Sequence, residues 1–172
     1  MNILVFGGST STTSINQQLA VYAAGLHPDA ELTVLELHRL SLPIYQADLE
    51  ISDGIPADAT RFLELIRAHD AIIVSLAEHN GTYAAAFKNL YDWISRIDNE
   101  PWSGKAMLLM ATSPGERGGA SVLEAAEATF SRRGANIRAT FSLPSFYENF
   151  DTEKGLTNPE LANELQAAVM AL

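Results

Sequence analysis

Short apolar runs alternate with stretches of helical apolar spacing along this chain, and that alternation restricts the fold more than any other feature. The runs are NILVF at 2–6, LTVLEL at 32–37, AIIVSLA at 71–77, AMLLMAT at 106–112 and NIRATF at 136–141. Each has the length of a strand. The first, third and fourth are apolar without alternation, as expected of parallel strands covered on both faces.

Between the runs the apolar spacing becomes helical. Ile15, Leu19, Tyr22 and Ala23 share one face, with Gly25 able to end that helix. Pro56 opens a second helix, with the stripe Ala59, Phe62, Leu63 and Ile66. A third covers 84–97, with Phe87, Leu90, Tyr91 and Ile94. A fourth covers 120–133, with Val122, Leu123, Ala126 and Phe130, and stops at Gly134. The last starts near Asn158–Pro159 and runs to about Met170, with Thr157 or Asn158 as its cap. The segment 38–55 is the longest stretch without a helical pattern and reads as a mobile or interfacial loop.

A repeated β-α order with right-handed crossovers builds a parallel sheet with helices on both faces. The expected architecture is an α/β three-layer sandwich with a five-stranded parallel sheet in the order 2-1-3-4-5. The length of 172 residues suits a single domain over 1–172, large enough to bury roughly 70% of its unfolded surface.

Charge removes several classes of partner. A net charge of -10 repels nucleic-acid phosphates and anionic membranes. No apolar run approaches the ~20 residues of a membrane span, and no signal-peptide core is present. A cytoplasmic protein without nucleic-acid or membrane partners is expected. The absence of cysteine excludes disulfides, thiolate catalysis and Cys-ligated metals. No histidine spacing suggests a metal site either.

Ligands of such sheets bind beyond the carboxyl ends of the strands, at the switch point between the first and third. The loops there read GGSTSTTS (7–14), EHNGTY (78–83) and SPGERGG (113–119). The first leads into a helix, whose free N–H groups and partial positive charge make a phosphate seat. Its hydroxyls add donors without bulk, and Ser14 or Thr13 can also cap the helix. No lysine precedes Lys88, so a P-loop is excluded, and a G-x-G-x-x-G fingerprint is absent. The loops hold no catalytic triad and no carboxylate pair, so no catalytic side chain is assigned. Arg117, the one cation in them, reads either as a solvated tip paired with Glu116 or as a contact to an electron-rich or phosphate group of a ligand. Asp92 and Arg96 are spaced to pair along their helix. Trp93 and Ile97 give helix 84–97 a second apolar stripe, which a subunit interface would cover.

GSTSTTSINQQLA (8–20), AEHNGTYAAAFKNLYDWISR (77–96) and SPGERGGAS (113–121) together resemble the NADPH-dependent FMN reductase family, whose fold is flavodoxin-like. FDTEKGLTNPELANEL (150–165) resembles that family's last loop and helix. The resemblance implies that the first loop holds the FMN phosphate through Ser9, Ser11, Ser14, Ile15 and Asn16, with Ser11 standing where the family pattern has arginine. It implies that Glu78, His79, Asn80, Gly81 and Thr82 edge the isoalloxazine ring. It places Ser113, Gly115, Gly118 and Gly119 by the ring's pyrimidine side.

The activity so implied is an FMN-dependent NAD(P)H oxidoreductase. NADPH or NADH would be the co-substrate, and a quinone, azo compound, metal oxyanion or flavin the small-molecule electron acceptor. A homodimer or homotetramer is implied as well. A flavodoxin-type electron carrier, or a flavin-free protein holding another phosphate ligand, fits the same loops.

Overall fold

The computed structural model describes residues 1–172. Its main sheet contains β1 (Asn2–Gly8), β2 (Glu31–Leu35), β3 (Ala71–His79), β5 (Ala106–Thr112) and β6 (Asn136–Leu143), in the spatial order β2-β1-β3-β5-β6 and all parallel. The two-residue strand β4 (Thr82–Tyr83) lies off this path, antiparallel to β3. This corrects the expected 2-1-3-4-5 sheet. The spatial path is the same, but a sixth, antiparallel strand shifts the later strand numbers. The cause is Asn80–Gly81, whose φ values of 53° and 77° close a two-residue hairpin. Asn-Gly favours that turn because both central residues take positive φ.

The central strands β1, β3 and β5 are buried almost throughout. The edge strands β2 and β6 are only partly covered. Helices α1 (Ile15–Gly25) and α7 (Pro159–Val169) pack on one face, around Ile3, Val5, Ile73, Leu108 and Met110. Helices α3 (Ala57–Ala68), α4 (Ala85–Ile97) and α5 (Ala120–Ser131) pack on the other, around Phe6, Val74 and Leu109. A fully buried aromatic group fills this second layer, with Trp102 and Phe130 ring centroids 4.4 Å apart. Two small elements follow β6: α6 (Phe146–Asn149) and the hairpin of β7 (Phe150–Asp151) with β8 (Gly155–Leu156).

Gly25 ends α1 as its last helical residue, with Leu26 following at φ -80°. Asn158 caps α7 by accepting from the amides of Glu160 and Leu161. The segment 38–55 is not a plain loop. It carries α2 (Ala47–Asp53), which has no buried residue and so left no apolar stripe to read.

The same segment accounts for the second stripe of α4. Trp93 is fully buried. Its Nε1 donates to Pro43 O at 2.8 Å, and Tyr45 packs edge-on with centroids 5.0 Å apart. Asn89 Nδ2 also donates to Pro43 O, while Asn89 Oδ1 accepts from the Tyr45 amide. Arg96 pairs with Glu50 at 3.0 Å and Asp92 with Lys88 at 2.6 Å, in place of the expected Asp92–Arg96 pair. The chain's own strap therefore covers the face that had suggested a subunit interface.

Candidate functional site

The carboxyl ends of β1, β3 and β5 open onto a cleft of about 250 Å³. Ser9, Ser11, Ser14, Ile15 and Asn16 line one side, and Glu78, His79 and Ser113 line the other. Three loops spread along residues 9–114 of the chain thus meet at the switch point. Tyr147, from α6, stands at the rim and is 72% exposed. Sequence reasoning missed it. Its only signal was a pair of aromatics, Phe146–Tyr147, beyond the last main strand.

Local chemistry explains how the first wall is held. Gly7 lets α1 start hard against the end of β1: a Cβ there would meet Gln17 Cα at 2.8 Å. The Gly7 amide donates to Gln17 Oε1 at 2.6 Å. Ser14 caps α1 by accepting from the Gln17 amide at 3.2 Å. Ser9 Oγ accepts from the Ser11 amide, and Ser11 Oγ from the Thr13 amide, at 3.1 and 3.3 Å. These bonds use oxygen lone pairs. They leave the hydroxyl protons of Ser9 and Ser14 free to donate into the cleft. The amides of Ile15 and Asn16, in the open first turn of α1, have no protein acceptor.

The Asn16 side chain is fully engaged inside the protein. Its Oδ1 accepts from Ser75 Oγ and from the Thr112 amide, and its Nδ2 donates to Thr112 O at 3.1 Å. What Asn16 offers the cleft is its backbone N–H. Glu78 has a similar double position. Its carboxylate accepts from the Val122 amide at 2.9 Å and caps the third residue of α5. The N-terminus of α5 is thus occupied by a carboxylate, whereas the first turn of α1 is open to the cleft.

Asn80, Gly81 and Thr82 do not line the cleft, because the hairpin to β4 turns them away into solvent. Gly115, Gly118 and Gly119 do not line it either. Gly118 and Gly119 are buried, at φ 57° and 79°, where the loop docks on β6 and starts α5. Gly115 O accepts from the Gly118 and Ser145 amides, and Ser113 O from the Phe146 amide. Those bonds fasten α6, and with it Tyr147, to the loop after β5. Arg117 is not paired with Glu116. Its Nη2 donates to Ser121 Oγ at 2.9 Å. No lysine or arginine lines the cleft.

This donor set fits a phosphate ester: free helix amides and hydroxyl protons, with the one carboxylate turned to another helix. The volume is below the roughly 300–1,000 Å³ of pockets that enclose a whole small ligand. A molecule seated by its phosphate would therefore hold any attached ring at the rim, against His79 and Tyr147. A larger groove of about 510 Å³ starts beside the cleft at Thr12 and Ser14 and runs along the outer side of α1 past Tyr22 to Phe150.

Residues 1–148 match the family model for NADPH-dependent FMN reductase. The chain is 31% identical over 121 residues to a quinone reductase of Escherichia coli K12, covering 70% of this chain and 64% of that protein. An NAD(P)H-dependent FMN reductase of Pseudomonas aeruginosa is 35% identical over 119 residues, covering 69% of this chain and 63% of the relative. The matched stretch is thus less than two thirds of the length of these relatives. Among solved structures, the flavoenzyme NAD(P)H:(acceptor) oxidoreductase FerB of Paracoccus denitrificans superposes with a TM-score of 0.77 at 26% identity, covering 99% of this chain and 93% of that one. The flavodoxin-like α/β fold is shared. No helix of this chain is long and apolar enough to cross a membrane.

Proposed function

The chain belongs to the NADPH-dependent FMN reductase family, and on that premise we propose that residues 1–172 form one domain that binds FMN and oxidises NAD(P)H, passing the electrons to a small acceptor of the quinone class. The observation that carries this reading is the open first turn of α1. The Ile15 and Asn16 amides and the Ser9 and Ser14 hydroxyls converge on one cleft at the switch point. The quinone reductase and FMN reductase relatives support the choice of donor and acceptor.

Bound FMN supplies two-electron hydride chemistry that no side chain here can supply. The protein's part is to bind and orient. Ile15 and Asn16 would donate backbone N–H groups to the phosphate, and the helix N-terminus would add about 0.3–1 kcal/mol of favourable field. Ser9, Ser11 and Ser14 surround the same end. Ser113 and the loop after β5 flank the cleft on the ring side. His79 and Tyr147, both exposed at the rim, would border the ring of a bound flavin and leave one face open to a second planar molecule. With no acid or base required, donor and acceptor are expected to use that face in turn.

The test is direct. Purified protein mixed with FMN should show flavin absorption that survives gel filtration at low salt. It should also oxidise NADPH or NADH steadily when a benzoquinone is supplied. Flavin binding without steady NAD(P)H oxidation would instead identify an electron carrier.

A further inference from the structure

A second polar cavity, of about 460 Å³, lies between α4 and the carboxyl end of α5, outside the cleft already described. We propose that it is a binding site for a phosphate-class dianion, independent of the reading given above. Lys88 from α4 and Arg132 and Arg133 from the end of α5 line it. The chain has 11 basic residues against 21 acidic ones, so three cations on one small cavity run against its overall charge.

The cations outnumber their local counter-charges. Asp92 is the only carboxylate in the lining, and it is paired with Lys88 at 2.6 Å. Neither Arg132 nor Arg133 takes part in any of the ion pairs. Arg133 donates through Nη1 to Asn99 O and keeps its other N–H groups. The last carbonyls of α5 add a partial negative charge of about half a unit. Three cations against one carboxylate and a helix end leave the cavity positive by between one and two charges. That suits a dianion better than a single carboxylate.

Donor chemistry points the same way. Two guanidinium forks match the oxygens of a phosphoryl group, which they bind by charge-assisted, often bidentate hydrogen bonds. Tyr91, nine-tenths buried, forms one wall and is the only apolar body in the lining. The cavity is otherwise polar, unlike the mostly apolar pockets of drug-sized ligands. Its ligand is thus recognised by charge, as inorganic phosphate or as the phosphate of a monoester.

The experiment is an amide-resolved NMR titration of FMN-treated protein, with inorganic phosphate in one arm and adenosine monophosphate in the other. Ser95, Thr129 and Arg133 should shift together and saturate at roughly millimolar ligand or below. Shifts at Ile15 and Asn16 report separately on the α1 seat. Arg132→Glu combined with Arg133→Glu should weaken the first set by roughly tenfold or more and spare the second. Arg61→Glu, a single charge reversal at an exposed position on α3, should leave both unchanged. Monophosphate binding tighter than inorganic phosphate assigns the site to an organic ester, and equal binding assigns it to free phosphate. No saturable shift at Ser95, Thr129 and Arg133 in either arm, or shifts that persist in the double variant, would overturn the proposal.

Discussion

Ser75 on β3 and Asn16 on α1 meet in the buried centre of the fold, the serine Oγ donating to Asn16 Oδ1 at 2.6 Å. The same oxygen accepts the Thr112 amide at 3.0 Å, so one side chain joins α1, β3 and β5 directly below the cleft. Asn16→Ala strands a buried hydroxyl and a buried amide, each costing about 1–3 kcal/mol when unsatisfied. Urea denaturation should show a loss of about 2–4 kcal/mol. Adding Ser75→Ala should cost less in the Asn16→Ala background than in the native protein.

Glu78 lines the cleft and also caps α5. Replacing it by Ala removes the acceptor for the Val122 amide and should cost about 1 kcal/mol, within the usual range for a lost cap. Glu78→Gln keeps an acceptor oxygen and should lose only the charge–dipole part, about 0.3–1 kcal/mol. Thermal melts of the pair should rank Glu, Gln, Ala in that order.

The glycines after β5 divide by what surrounds them. At Gly118 a Cβ would lie 2.9 Å from the backbone of Leu143, on a residue at φ 57°. At Gly115 nothing lies within 4 Å. Gly118→Ala should therefore destabilise by about 2–4 kcal/mol through overpacking and left-handed strain. Gly115→Ala should leave chemical stability within about 0.5 kcal/mol of the native protein, as at other surface positions. Equal losses at both positions would contradict this packing.

How much could be read in advance depended on how far apart the partners lie in sequence. The central strands were legible because both faces are covered, which writes a continuous apolar run. Ser14 as a cap was legible because its partner, Gln17, is three residues away. The role of Asn16 was not, because its partners lie 59 and 96 residues away. The second stripe of α4 was read correctly as buried, but no local pattern says that Pro43 and Tyr45 cover it. The β4 hairpin was legible in principle: Asn80–Gly81 is a strong turn signal, and it was absorbed into a loop.

Two surface carboxylates set the expected acid response. Asp98 accepts the Glu100 amide at 2.9 Å and Arg67 Nη2 at 2.6 Å, which hold its carboxyl below the ordinary range. The Glu153 and Lys154 amides do the same for Asp151. A folded-state pKa below the unfolded one contributes stability above the unfolded value of about 3.9, lost as pH falls through the lower folded value. The melting temperature should therefore drop below about pH 4. Asp98→Asn and Asp151→Asn should each make that drop shallower while lowering stability at neutral pH.

Ser11 carries the last prediction. A phosphate seated on α1 meets hydroxyls and amides but no cation, since the cleft is lined by neither lysine nor arginine and Arg117 is tied to Ser121. A phosphate monoester carries close to two negative charges at neutral pH. Ser11 is exposed at the rim, so Ser11→Arg has room to reach the phosphate with a bidentate, charge-assisted pair. The change sacrifices the two weak bonds of Ser11 Oγ with Thr13, one to its amide and one to its hydroxyl, each 3.3 Å long. A hydrogen bond to a charged group is worth roughly 1.5–3 kcal/mol, so FMN should bind roughly tenfold to a hundredfold tighter. Riboflavin, which lacks the phosphate, should bind as before. The native protein should lose FMN readily as salt rises, because screening weakens what the helix end provides. Fluorescence titration of both flavins against both proteins reads all of this. If Ser11→Arg leaves FMN affinity unchanged, the phosphate does not sit at the α1 N-terminus.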